Sequence, residues 1–137
     1  MSELALTVEQ MNGRLRKSPF NNWLGLEVTA ADADVIVFRV PWRPEFTGSP
    51  DTGFAHGGIL ASIIDAVASF AISSRLGRFS STIDMRVDYH YGMAPGELRA
   101  EGRVVKLGRT ISVADARLFD EKGVLVSSGR AVYMTAA

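Results

Sequence analysis

The chain has 137 residues, which fits one domain built on one hydrophobic core. Its 15 basic and 15 acidic side chains cancel to a formal net charge of +0, which argues against binding DNA or RNA through phosphate neutralisation. It has no cysteine, which excludes disulfides and cysteine nucleophiles and fits a cytoplasmic location. No signal-peptide pattern opens the chain, so we expect a single domain over residues 1–137, with 1–20 as an N-terminal helix and lead-in.

The first part of the chain is predicted to hold a short helix, a β-hairpin and a long loop. Thr7 is expected to cap a helix that Ser18-Pro19 ends. Residues 21–42 then alternate apolar and polar side chains around a central turn, which predicts two antiparallel strands. The following loop, residues 43–55, is rich in Gly, Pro, Ser and Thr, and a loop of this length in a compact domain is usually functional or mobile.

The segment from Gly57 to Leu76 is predicted to form the one long helix. It is apolar or small on nearly every side, which is typical of a helix in the middle of a fold. Because Asp65 at its centre would be costly in a bilayer, we expect a core helix and no membrane. From Ser81 onward, four alternating segments separated by turns predict a meander of four strands. The order predicts an α+β fold in which one antiparallel sheet of about six strands wraps one long central helix.

Asp65 is the residue that points most directly to chemistry. Asp is a poor helix former and is rarely buried without a partner, yet this one stands in the most hydrophobic segment of the chain. The ordinary explanation, an acid that faces solvent, needs a polar helix face, and the sequence shows none here. A carboxylate in an apolar cleft is a candidate general base or nucleophile.

Two glycines, Gly57 and Gly58, begin the same helix. The N–H groups of a first helical turn have no intrahelical acceptor, and glycines let a substrate approach them, as in an oxyanion hole. Two glycines also serve a sharp turn into a helix. Gly57 and Asp65 are roughly 12 Å apart along a helix that rises about 1.5 Å per residue, so one carbonyl carbon cannot contact both. If both act on one substrate, they come from two chains, which predicts an obligate homodimer with two equivalent interface sites.

Three motifs carry a family resemblance: His56-Gly57-Gly58 ahead of Asp65, the segment 82–89, and Gly108-Arg109-Thr110. Together they resemble the PaaI-like branch of the hotdog-fold thioesterases, over nearly the whole chain from about Trp23 to Met134. The resemblance implies a long helix wrapped by an antiparallel sheet, a homodimer with a continuous sheet, and usually a homotetramer made of two dimers. It also implies hydrolysis of acyl-CoA or aryl-CoA thioesters, with no metal or other cofactor.

The resemblance also implies roles for single residues. Asp65 would be the nucleophile or the base that activates water, and the Gly57 N–H would polarise the thioester carbonyl. Gly58 would belong to the same substrate-binding turn. His56 would orient that loop or the thioester, and Thr82 would hydrogen bond to the attacking water or to the carboxylate.

One position departs from the family pattern. Close relatives often have an Asn six residues before the histidine, and here that position is Pro50, which offers no side-chain hydrogen bond. Asp51 beside it is the candidate replacement. The departure keeps open a second hypothesis, a hotdog module that binds acyl-CoA without hydrolysing it. A hotdog hydratase or dehydratase is a third hypothesis.

Other predicted contacts with the substrate are less specific. Around a turn, Lys106, Gly108 and Arg109 are candidates to bind the phosphates of CoA, although the two cations are equally typical of a solvated turn. Aromatic residues near the long loop are candidates for an acyl pocket or for ordinary core packing: Trp42, Phe46 and Phe54. The chain has two histidines and no cysteine, and we expect no metal site.

Overall fold

A computed structural model describes residues 3–136, and it has the predicted α+β architecture, with one antiparallel sheet packed on one long helix. In chain order the elements are α1 (Val8–Lys17), α2 (Pro19–Leu24), β1 (Glu27–Ala31), β2 (Ile36–Val40), α3 (Gly57–Leu76), β3 (Ser81–Tyr89), β4 (Leu98–Lys106), β5 (Ile111–Phe119) and β6 (Leu125–Met134). The sheet has six strands in the order β1-β2-β4-β5-β6-β3. The predicted fold class is confirmed.

Helix α3 has the predicted bounds and forms the centre of the core. It packs against β2, β3, β4, β5 and β6. Two glycines of the sheet let it approach closely, because a Cβ at Gly102 would lie 2.8 Å from the Val67 carbonyl oxygen and one at Gly129 would lie 2.7 Å from Ile64. The helix is long and apolar enough to cross a bilayer by length and composition alone, but most of it is buried against this sheet.

The region after α1 differs from the prediction. The expected strand at residues 21–26 is wrong, because Pro19 begins a second helix, α2. Ser18 ends α1 and also caps α2, accepting a hydrogen bond from the Asn21 N–H at 3.4 Å, and Gly25 ends α2 at a φ of 77°. Proline suits the first position of a helix, where its missing N–H would have no partner. Ser18-Pro19 is therefore both a stop and a start.

The four-strand meander is also a prediction that the structure corrects. Strands β4, β5 and β6 form a meander, but β3 pairs with β6, at the far edge of the sheet. Turn residues show where a chain reverses and do not show which strand becomes the neighbour. As a result β3 is an edge strand, with most of its residues exposed or half-buried, and an irregularity after Thr82 leaves Ile83 unpaired. An edge strand has free backbone N–H and C=O groups available for pairing with another strand.

Candidate active site

Asp65 lies on the part of α3 that the sheet does not cover. Its side chain is half-buried in the single chain, and Ala61 and Ser62 beside it are also partly accessible. The prediction that α3 has no accessible face is therefore wrong for the single chain. The accessible stripe consists of small residues, and this is why composition alone made the helix look uniformly internal.

Two hydroxyl groups from neighbouring strands hold the Asp65 carboxylate. Thr82 Oγ1 donates to Asp65 Oδ1 at 2.8 Å, and the Tyr133 hydroxyl contacts the same oxygen at 2.9 Å and the Asp65 carbonyl oxygen at 2.8 Å. The register of β3 and β6 places Thr82 opposite Tyr133, so both donors approach from one point of the sheet. Within residues 3–136 no donor binds Oδ2. One carboxylate oxygen is fixed and the other is available to a substrate or a water.

Tyr133 is a site residue that the sequence analysis missed. It is completely buried in the single chain. Burial, and then the charge of Asp65, raise the pKa of its phenol far above the ordinary value, so the group stays protonated and remains a hydrogen-bond donor. A buried tyrosine normally requires a partner for its hydroxyl, and this was the available signal in the sequence. The partner itself, 68 residues away, could not be read from that signal.

The other end of the predicted site is the start of α3. His56 caps the helix, because its Nδ1 accepts a hydrogen bond from the Gly58 N–H at 2.8 Å. That contact makes Nε2 the protonated nitrogen of a neutral His56. The Gly57 N–H has no acceptor in the part of the chain that the structure describes. Of these two glycine N–H groups, Gly57 is thus the one free to bind a substrate oxygen.

Tyr89 supports the same end of the helix and was not predicted as a site residue. Its hydroxyl donates to the Gly57 carbonyl oxygen at 2.7 Å. A Cβ on Gly57 would lie 3.3 Å from the Tyr89 ring, so the glycine also permits this close packing.

Within one chain the two ends of the site are separate, as the spacing predicted. Helix α3 runs without interruption from Gly57 past Asp65, so the estimate of about 12 Å applies. Strand β3 also keeps the two ends apart, because Thr82 contacts Asp65 and Tyr89 contacts Gly57, seven residues further along the strand. Within a single chain, Asp65 and the Gly57 N–H are therefore too far apart to contact one carbonyl carbon.

The predicted CoA-binding turn lies at the Asp65 end of the sheet. The backbone of Gly108 forms two hydrogen bonds. Its N–H donates to Ser112 Oγ at 3.0 Å, and its carbonyl oxygen accepts from Thr135 Oγ1 at 2.8 Å. Ser112 pairs with Tyr133 across the sheet. Lys106 and Arg109 are exposed and form no salt bridge with any residue in 3–136, so both are available to an anion.

Gly108 also has a structural reason to be glycine. A Cβ at this position would lie 2.1 Å from the carbonyl oxygen of Ile111. The tight turn between β4 and β5 therefore excludes any side chain here, whether or not the turn binds a substrate.

The loop before α3 is ordered by its own hydrogen bonds. The Gly48 N–H donates to Phe54 O at 2.8 Å, and the His56 N–H donates to Phe46 O at 2.7 Å. Asp51 is exposed at the tip of the loop, and it is not among the residues of 3–136 that hydrogen bond to Asp65. Thr52 Oγ1 accepts from the Phe54 N–H at 3.2 Å and thus serves the loop itself.

The three aromatic residues near this loop have different positions. Trp42 and Phe46 line a small apolar cavity together with Ile59 and Ile63 of α3. Phe54 is outside it, exposed and packed over Gly92. As for metals, residues 3–136 contain no group of three His, Asp or Glu side chains placed to bind one.

An antiparallel sheet wrapped around one long helix is the hotdog fold. The carboxylate and the free N–H on that helix are groups that a hydrolase of this fold uses. Comparison with known proteins gives the family: residues 52–127 match the thioesterase superfamily, and the chain belongs to it. A crystal structure from this superfamily is 43% identical, with a TM-score of 0.90 over 93% of this chain and 96% of that chain. The predictions of a hotdog fold and of a thioester hydrolase are confirmed.

Two curated relatives extend this comparison. The medium/long-chain acyl-CoA thioesterase YigI of Escherichia coli K12 is 27% identical over 135 residues, covering 85% of this chain and 84% of the relative. A candidate esterase of Halobacterium salinarum is 34% identical over 99 residues. That match covers 69% of this chain and 65% of the relative, slightly less than two thirds of its length.

Proposed function

We propose that the protein hydrolyses acyl-CoA thioesters, in the manner of the PaaI-like branch, with Asp65 as the reacting carboxylate. The observation that carries the proposal is the asymmetric holding of this group, with Oδ1 bound by Thr82 and Tyr133 and Oδ2 unbound. A carboxylate prepared in this way is poised for nucleophilic or general-base work. The acyl-CoA substrate is supported by the similarity to the E. coli relative, a medium/long-chain acyl-CoA thioesterase.

Two routes use the free oxygen, and both break the carbon–sulfur bond. In one, Oδ2 attacks the thioester carbon, CoA leaves as thiolate and takes a proton, and water then cleaves the acyl-aspartate anhydride. In the other, Oδ2 removes a proton from a water whose oxygen attacks the same carbon. Either way the products are a carboxylic acid and free CoA thiol. A backbone N–H on the carbonyl oxygen stabilises the negative charge that develops there.

The second half of the proposal is that two chains complete each site. Strand β3 is an exposed edge, with Thr82 near its start and Tyr89 at its end. If two copies of β3 pair antiparallel about the middle of the strand, Thr82 of one copy lies near Tyr89 of the other. Because Thr82 contacts Asp65 and Tyr89 contacts Gly57, this pairing brings Asp65 towards Gly57 of the second copy. We therefore propose a homodimer with a continuous sheet, and a homotetramer made of two such dimers.

Release of free thiol from a panel of acyl-CoA and aryl-CoA substrates tests the reaction. The wild type is expected to release thiol, and Asp65→Asn is expected to lose at least about 10³-fold in kcat because Asn is neither a nucleophile nor a base here. Size-exclusion chromatography and thermal melting check that the variant keeps its fold and assembly. Near-wild-type turnover by Asp65→Asn would contradict the proposal. Binding without thiol release would favour the binding module, and a change at a carbon–carbon double bond would favour the hydratase.

Complementation between two inactive variants tests the shared site. Chains carrying Asp65→Asn and Gly57→Pro are coexpressed with different tags, and the doubly tagged heterodimer is purified. If each site takes Asp65 from one chain and Gly57 from the other, one of the two sites is intact and about half of the wild-type activity returns. If both groups act within one chain, every site carries a defect and the heterodimer stays inactive. Each variant alone, at equal concentration, is the control.

A further inference from the structure

A groove of about 290 Å³ opens directly beside Asp65, between α2, α3 and the start of β3. Three phenylalanine rings and three polar side chains of α3 line it: Phe20, Phe70, Phe79, Ser62, Asp65 and Ser69. Helix α2, the element that the sequence analysis missed, forms one wall. The groove is distinct from the small cavity that Trp42 and Phe46 line.

Two of the three rings around this groove are unusually accessible for their type, whereas Phe70 is buried. Phe20 is 51% exposed and Phe79 is 71% exposed. Phe20 is nevertheless held in place, because its ring stacks on Trp23 with 6.1 Å between centroids. Large apolar side chains that gather around one accessible groove mark a binding surface.

Ser69 adds a polar requirement to the groove. It follows Asp65 by four residues, so both lie on the same side of α3, about 6 Å apart along the axis. Its hydroxyl oxygen is buried, and no residue in 3–136 hydrogen bonds to it. Ser62, in contrast, already donates to the Gly58 carbonyl oxygen at 2.8 Å. Ser69 thus brings to the groove a buried hydroxyl that has no hydrogen-bond partner within residues 3–136.

We propose that this groove binds the acyl part of the substrate, and that Phe20 and Ser69 determine which acyl groups are accepted. The aromatic walls suit a flat or compact apolar body. The unpaired hydroxyl of Ser69 suits one hydroxyl or keto oxygen on that body, a few bonds beyond the thioester carbonyl. The substrate class is therefore an oxygen-substituted acyl-CoA. This inference rests on the proposed function, because it takes the thioester carbon to lie at Asp65.

Matched substrate pairs test the role of Ser69. We compare kcat/KM for hexanoyl-CoA with 3-hydroxyhexanoyl-CoA, and for benzoyl-CoA with its ring-hydroxylated forms. The wild type is expected to favour one hydroxylated partner by about tenfold, which corresponds to one additional hydrogen bond. Ser69→Ala is expected to reduce that ratio to about one. A wild type without preference in either pair, or a preference that Ser69→Ala leaves intact, overturns the proposal.

Phe20→Ala tests the aromatic wall separately. It is expected to raise KM about tenfold or more for both members of the preferred pair, because the acyl body loses one face of its groove. Phe119→Ala, which removes an equally large ring that packs with Arg99 far from the groove, is the matched control and is expected to leave KM unchanged. If Ser69→Ala and Phe20→Ala instead weaken the dimer and leave the substrate ratios unchanged, a second chain fills the groove and the proposal is wrong.

Calorimetry with Asp65→Asn separates this inference from the proposed reaction. Titration with the same acyl-CoA pairs, with and without Ser69→Ala in that background, measures binding without turnover. If the wild type releases no thiol but the hydroxylated partner binds more tightly through Ser69, the reaction is wrong and the acyl subsite stands. If thiol is released but Ser69→Ala leaves the binding of both members of each pair unchanged, the reaction stands and the acyl subsite is wrong.

Discussion

The two halves of the site on α3 are held in different ways. Asp65 is fixed by Thr82 of the neighbouring edge strand and, from inside the fold, by a completely buried Tyr133. Gly57 lies where the helix meets an exposed loop, and the tyrosine that supports it, Tyr89, is 53% exposed. The carboxylate is therefore prepared within one chain, whereas the N–H donor is presented outward. This difference suits a site in which each chain contributes one finished group to its neighbour.

Gly57→Pro, at the exposed end of α3, should lower kcat more than any other variant that leaves Asp65 intact. Proline removes the N–H but fits the first helical position, and His56 already has the extended conformation, at φ −61° and ψ 135°, that precedes proline well. We expect kcat to fall by about 10²–10³-fold, as for the loss of one oxyanion donor. Thiol release under saturating substrate measures it.

Gly57→Ala is the matched control for that experiment. It keeps the N–H and adds only a Cβ that lies 3.3 Å from the Tyr89 ring, so it reports the cost of crowding alone. The proline variant should therefore lose much more activity than the alanine variant. Equal losses would show that the N–H has no part in the reaction and that only the packing against Tyr89 matters.

Tyr133→Phe should weaken the hold on the Asp65 carboxylate and lower kcat by a smaller factor than Gly57→Pro. Asp65 Oδ1 keeps its bond to Thr82 but loses the phenol, so we expect kcat to fall about tenfold. Thr82→Val removes the other donor to Oδ1 with little change of shape and should lower kcat by a similar factor. Lower stability with an unchanged kcat would mean that Tyr133 serves packing alone.

The contrast between the halves also explains what the sequence could reveal. Local patterns were sufficient for α3, whose bounds Gly57–Leu76 follow from composition and from the glycines at its start, and for the Gly57–Asp65 separation. They were insufficient for Tyr133 and Tyr89, whose contacts are 68 and 32 residues away and depend on which strands become neighbours. Local alternation is the same whether β3 pairs with β4 or with β6. Ser18-Pro19 likewise left α2, and with it the groove wall of Phe20, unpredicted.

The smallest expected effect concerns the cations at the turn after β4. If Arg109 and Lys106 bind the phosphates of CoA as the sequence predicts, Arg109→Ala and Lys106→Ala should each raise KM by a few fold without changing kcat, because an exposed cation contributes little. The effect should shrink at high salt, which screens exposed charges. Lys122→Ala, in the turn at the opposite end of the sheet, is the matched control. A salt-independent loss of kcat would place the turn within the reacting half of the site, next to Tyr133, and would make its tight Gly108 geometry part of how Asp65 is held.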